Sequence, residues 1–137
     1  MYKLGSNFEE VLKERLEALK ATAEVKGKEY TTGDGDRYHT FRVGARLKGE
    51  TPEQTLYGIA MKQVVSVVDM IAYTAECPER LSIPLINEKL GDLNLYTILL
   101  EGLLKERVLM REEEKRATAK IAINVLEKRD ETLKRRG

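Results

Sequence analysis

Thr51-Pro52-Glu53-Gln54, followed by Thr55-Leu56-Tyr57-Gly58-Ile59-Ala60-Met61-Lys62-Gln63-Val64-Val65-Ser66-Val67-Val68, is the stretch on which the fold class turns. Its four valines are β-branched and suit a buried strand. Its opening points the other way. Thr51 has the side chain of an N-cap, Pro52 presets φ for the first helical position, and Gln54 stands where a capping box is closed. The apolar character then persists to Glu76, far beyond a usual strand length. The spacing therefore predicts a helix over Thr51–Glu76. That helix is apolar over most of its circumference, as a helix central in its domain is. One polar line interrupts it: Lys62, Ser66, Asp69 and Tyr73 fall at i, i+4, i+7 and i+11, within about 40° of one direction at 100° per residue.

Cys77-Pro78 ends this helix, because the residue before a proline is pushed out of the α region. Ser82-Ile83-Pro84 starts the next, predicted to run to about Met110. Near its beginning stands Asn87-Glu88-Lys89-Leu90-Gly91-Asp92-Leu93-Asn94-Leu95-Tyr96. Glu88 and Asp92 are one turn apart on one face, which becomes apolar at Leu95, Tyr96 and Leu99. Buried carboxylates are costly unless paired, protonated or metal-bound. Lys62 and Asp69, placed opposite Glu88 and Asp92 on an antiparallel neighbour, would make a cleft suited to a hard divalent cation and its phosphates. The plainer alternative is a solvent-facing strip, with Glu88 favoured by the dipole at a helix start.

Upstream, Ser6-Asn7-Phe8-Glu9 has capping-box spacing, and Phe8, Val11, Leu12, Leu16 and Leu19 recur at helical intervals as far as a stop at Gly27. Gly33-Asp34-Gly35-Asp36 is turn chemistry. The segment from Tyr38 to Leu47 admits a strand or a helix. Phe41, Ala45 and Lys48 on one side, with Gly49 as a stop, favour helix. Lys26 and Lys28 with Arg37, His39, Arg42 and Arg46 make this region basic, the chemistry that wraps phosphates. Calcium-loop spacing is missing, and the lone His39 reads as packing or surface.

Beyond Lys105 charge dominates, with Arg111-Glu112-Glu113-Glu114-Lys115-Arg116 and a final Lys134-Arg135-Arg136. Ala117, Ile121, Ala122, Val125, Leu126 and Leu133 leave a narrow amphipathic stripe, of the kind that packs on a partner helix. Over all 137 residues, 24 Lys+Arg nearly cancel 23 Asp+Glu, giving no general attraction to nucleic acid or an anionic membrane. The apolar-rich run from Pro84 carries Glu88, Lys89, Asp92 and Glu101, so it is not a membrane span. One cysteine, Cys77, excludes an internal disulfide and a cysteine-cage zinc site. No secretory leader is expected in Met1–Phe8, and the location expected is cytoplasmic.

Glu88-Lys89-Leu90-Gly91-Asp92-Leu93, after a helix with inward polar residues, resembles the second carboxylate motif of the all-α NTP pyrophosphohydrolases, the MazG-like group. It is more similar still to small phage proteins of the nucleotide modification associated domain 1 type. Lys28-Glu29-Tyr30, then Phe41, then Lys62, then Glu88, Asp92, Leu93 and Tyr96 follow that family's order across about Phe8 to Leu104. The resemblance implies hydrolysis between the α and β phosphates with Mg²⁺, and a site completed between subunits. It would make Glu88 and Asp92 metal ligands and catalytic residues and Lys62 a phosphate contact, with Lys28, Tyr30 and Tyr96 matched in its motifs. The residues themselves add Asp69 as a third metal ligand and catalytic residue, and Arg37 and Arg42 as substrate contacts. The family's first acidic motif, Glu-Glu-xx-Glu, is absent here.

The expectation is an all-α, single-domain bundle of four or five helices, with a core over 1–110 and a charged C-terminal helix over 111–137. Its expected role is that of a Mg²⁺-dependent, phage-type nucleotide pyrophosphohydrolase-like protein, working as a homo-oligomer in the host cytoplasm. The alternatives are a non-catalytic nucleotide binder and a protein-interaction module without a ligand.

Overall fold

A computed structural model describes residues 8–30 and 35–137, with backbone only for 26–30. Four α-helices and one 3₁₀ turn account for nearly all of it: α1 (Phe8–Tyr30), α2 (His39–Lys48), α3 (Pro52–Glu76), the turn Pro78–Arg80, and α4 (Ile83–Arg136). No strand occurs among the described residues. The chain divides into two compact units, Met1–Leu103 and Leu104–Gly137, and α4 contributes to both.

Local chemistry explains where the helices of the first unit start and stop. Asp36 accepts hydrogen bonds from the Tyr38 backbone N–H and from Arg42 Nε, both at 3.0 Å, across the entry to α2. The Arg42 guanidinium also lies over the Tyr38 ring, 5.5 Å from its centre. At the other end of α2, Gly49 takes φ +69°, a left-handed conformation that disfavours any side chain. The capping box of α3 is complete: Gln54 N–H donates to Thr51 Oγ1 at 3.2 Å and Thr51 N–H to Gln54 Oε1 at 2.9 Å. Ser82 Oγ accepts from Leu85 N–H at the start of α4.

Two predicted boundaries move. α1 runs through Gly27 to Tyr30, since one interior glycine costs only about 1 kcal/mol and good helix formers flank it. The Ser6 cap lies outside the described residues. The helix beginning at Ile83 does not stop near Met110 but continues to Arg136, so the predicted C-terminal helix is its continuation. Nothing between Gly102 and Gly137 is a glycine or proline, and a change from apolar to charged composition does not interrupt a backbone hydrogen-bond ladder.

The core of the first unit joins all four helices. Phe41 of α2 and Leu56 of α3 are wholly buried, beside Ala60 and beside Leu95, Tyr96, Leu99 and Leu103 of α4, with Leu19 and Ala23 of α1 packed against them. Close approaches rely on missing side chains. A Cβ on Gly44 would sit 2.9 Å from Thr55 Cγ2, where α2 meets α3, and a Cβ on Gly102 would collide with the Tyr38 hydroxyl. Thr55 is buried and donates to Glu50 Oε1 at 2.8 Å, so its hydroxyl is satisfied.

α3 is not enclosed in the way its composition implied. Thr55, Leu56, Ala60 and Met70 are buried, but Tyr57, Val64, Val65, Val68 and Ile71 are 39–65% exposed. The helix thus has an inner face near Leu56, Ala60, Gln63, Val67 and Met70. A second apolar face, roughly 110° round, runs through Tyr57, Met61, Val64, Val68, Ile71 and Ala75. Lys62 and Asp69 occupy the remaining sector. By length and composition alone α3 would reach across a membrane, with 17% of its most apolar window buried.

Candidate functional site

The first turns of α4 carry the Asn87–Tyr96 stretch, and α1 lies against them through one arginine. Arg15 Nη1 donates to the Asn87 backbone carbonyl at 3.2 Å, and Nη2 to Asn87 Oδ1 at 3.5 Å. Gly91, one turn further on, makes room for this: a Cβ there would stand 2.8 Å from Arg15 Nη1. The carbonyl of Asn87 has its helical partner at Gly91 as well, so the guanidinium uses the oxygen's second lone pair.

Beside this contact is a half-open cleft of about 540 Å³ between α1 and α4. Phe8, Val11, Leu12 and Ala18 line one side, and Ile83, Ile86 and Leu90 the other, with Arg15, Glu14 and Asn87 as its polar groups. Its volume lies in the small-molecule range, with apolar walls and a few directional polar groups, but Phe8, Val11, Leu12 and Ile83 are 43–72% exposed, so the cleft is shallow. An acceptor group in the cleft can reach the remaining N–H groups of Arg15, which make charge-assisted hydrogen bonds, while Glu14 beside it adds an opposing negative charge.

The residues expected to form a metal site are not brought together as a set. Among the described residues no group of three or more His, Cys, Asp or Glu side chains is placed to hold a metal ion. Asp69 is exposed on α3. Glu88 is exposed on α4, with Lys89 Nζ 3.4 Å from its carboxylate. Asp92 is half-buried. The donor set of the described residues therefore does not fit a three-carboxylate Mg²⁺ site.

The expected substrate contacts are dispersed as well. Arg37 donates to the Ala23 carbonyl at 3.1 Å and ties the entry of α2 to α1, while Arg42 pairs with Asp36 within that entry turn. Lys62 is exposed, and its backbone carbonyl accepts from Ser66 Oγ at 3.0 Å. Tyr96 is 7% exposed and belongs to the core. The side chains of Lys28 and Tyr30 lie outside the described residues. His39 is half-buried, and Cys77 is the half-buried C-cap of α3.

Two further groups escaped the sequence reading. Gln63 Oε1 on α3 and Asn94 Oδ1 on α4 are buried without a hydrogen-bond partner, and each buried acceptor of this kind costs stability until a donor reaches it. Arg15 also gave no signal, being one of several charges on α1. Gly91 was the visible trace of it, a glycine inside a strongly helical segment. Compared with models of protein families, with curated proteins and with solved structures, the chain matches none.

Proposed function

We propose that this chain is a nucleotide-binding protein: the resemblance to the all-α NTP pyrophosphohydrolases implies the nucleotide, and the α1–α4 cleft, which none of Lys62, Asp69, Glu88 and Asp92 lines, is our own choice of where it enters. The observation that carries the reading is positional. The cleft opens at Asn87–Leu90, where the family-like carboxylate motif begins, and holds a guanidinium next to apolar walls. A base would lie against Phe8, Leu12 and Leu90, and a phosphate would take the free N–H groups of Arg15. Binding is the part of the family's activity that these residues support. Hydrolysis would need a carboxylate set that the described residues do not assemble.

Calorimetry of the purified chain with each common nucleoside triphosphate, with and without Mg²⁺, tests this, beside an assay for released pyrophosphate. Saturable binding is expected. Arg15→Ala should weaken it about 10–100-fold, the range for losing a charge-assisted hydrogen bond. Arg15→Lys should recover part of the loss, while thermal melts report whether α1 stays docked. Absence of binding with every triphosphate in both conditions, together with no pyrophosphate release and no effect of Asp92→Ala, would refute the reading.

A second reading, a protein-interaction module, is favoured by the outer face of α3, where Val64, Val65, Val68 and Ile71 are exposed. Sedimentation of Val68→Glu/Ile71→Glu against the parent chain separates the two. A loss of self-association with nucleotide affinity unchanged supports the module, and no change in sedimentation removes it.

A further inference from the structure

From Arg107 onward every side chain of α4 is exposed, including Ile121, Ile123, Val125, Leu126 and Leu133 at 56–64%. Most helical stability in proteins comes from packing an apolar face, and this segment packs none of its own. Its pattern is regular. Lys115, Ala119, Ala122, Leu126, Arg129 and Leu133 alternate four and three residues apart, the spacing of a coiled-coil seam with four of its six positions apolar, while Ile121 faces about 120° away from it. Ile123 and Val125 flank the seam on opposite sides. Arg116 and Asp130 lie on the same flank as Ile123, seven residues before and after it.

We propose that residues 112–136 pair with the same segment of a second copy, antiparallel and centred on Asn124. The seam maps onto itself about that centre, because 115 meets 133, 119 meets 129 and 122 meets 126. Leu126 then packs on the partner's Ala122, large on small, and the reverse contact repeats it. Arg129 covers the partner's Ala119 with its aliphatic stem and keeps its charge in water. Ile123 meets Ile123 of the partner on one flank, and Val125 meets Val125 on the other.

Charge decides the direction. In the antiparallel arrangement Arg116 meets the partner's Asp130 twice over, and Glu112–Glu114 run beside the partner's Lys134–Arg136. A parallel pair in register would set Arg111 beside the partner's Arg116 and Val125 against its Asp130. It would also stack the acidic run on itself and the basic run on itself, which is destabilising. Asp130 is already 3.7 Å from Lys134 within its own helix, but both side chains are more than two-thirds exposed, so the contact yields readily to a better partner. The inference does not depend on what the cleft binds.

Sedimentation and spin-label distances on the full chain test it. With Cys77→Ser as background and a nitroxide at Glu113→Cys, antiparallel pairing puts the labels 22 residues apart along the axis, about 33 Å at 1.5 Å per residue. Parallel pairing would put them within roughly 20 Å, given an interaxial distance of about 10 Å. Leu126→Asp should leave monomers. Asp130→Arg should weaken association about tenfold, because each dimer loses two attractive pairs, and adding Arg116→Asp should restore it to within about threefold. The proposal is overturned by a monomer at all concentrations, by the short distance, by a dimer indifferent to Leu126→Asp and Asp130→Arg, or by capture on anionic lipid vesicles without self-association.

Discussion

Gly58 and Gly102 offer one substitution with two opposite expected outcomes. Both lie inside helices, α3 and α4, so replacement by alanine carries the same backbone gain, roughly 0.5–1 kcal/mol in favour of the folded state. Around Gly58 no atom stands within 4 Å of the new methyl, and the backbone gain acts alone. At Gly102 the methyl meets the Tyr38 hydroxyl, with Cζ of the ring 3.0 Å away. That hydroxyl cannot swing aside by itself, because the ring is packed against the core and lies beneath Arg42. Overpacking of this kind costs about 1–3 kcal/mol and exceeds the backbone gain. A chain of 137 residues unfolds with an entropy of about 0.3 kcal/mol/K, which places the two midpoints about 3–10 °C apart, Gly58→Ala above the parent and Gly102→Ala below it. Thermal melts followed by circular dichroism, with urea titrations at 25 °C, measure both. Tyr38→Phe in the Gly102→Ala background removes the colliding oxygen and should recover part of the loss. If Gly102→Ala proves as stable as Gly58→Ala, or if Tyr38→Phe gives no relief, the packing argument at the α2–α4 contact is wrong.

Perturbations at four other residues test the core, the α3 cap and the entry to α2. Phe41→Ala empties a wholly buried aromatic site and should cost about 3–5 kcal/mol in urea denaturation, with Leu56→Ala at about 2–5 kcal/mol. Thr51→Ala removes one half of the α3 capping box and should cost about 0.5–2 kcal/mol, while Thr51→Ser should cost little. Asp36→Ala removes the acceptor shared by Tyr38 N–H and Arg42 Nε and should cost about 1–2 kcal/mol, a cost that shrinks when the parent and variant are compared in 1 M salt.

The parts of the fold that could be read from the residues are those decided by short-range chemistry. Thr51, Pro52 and Gln54 specify a helix start through contacts within one turn, and they outweigh the strand preference of four valines because capping and length act together. Gly49 marks a stop for the same local reason. The end of α1 and the continuity of α4 were misplaced, since a glycine or a change in composition only lowers helical preference and tertiary context decides the rest. The site was less legible. Glu88 and Asp92 share a helix face as the 3.6-residue period requires, but whether Asp69 joins them depends on how two helices are rotated about their axes, which the apolar pattern of α3 leaves open. Arg15 acts through Asn87, 72 positions away, so nothing in the spacing of α1 distinguished it from its charged neighbours.

The two apolar faces of α3 also determine how the protein would read in a mutational scan. Polar substitutions at Leu56, Ala60 or Met70 act within one molecule, so their penalty is the same at any dilution. At Val64, Val68 or Ile71 the same change touches surface that one chain leaves uncovered. If that face docks on a second copy, as the second reading under the proposed function has it, the effect there follows how much protein is present and differs between a crowded cell and a dilute cuvette. Tolerance plotted along the helix would therefore show one 3.6-residue rhythm under all conditions and a second, offset by about 110°, that grows with expression level. A helix that looks uniformly hydrophobic on paper would separate, in genetic terms, into a private half and a public one.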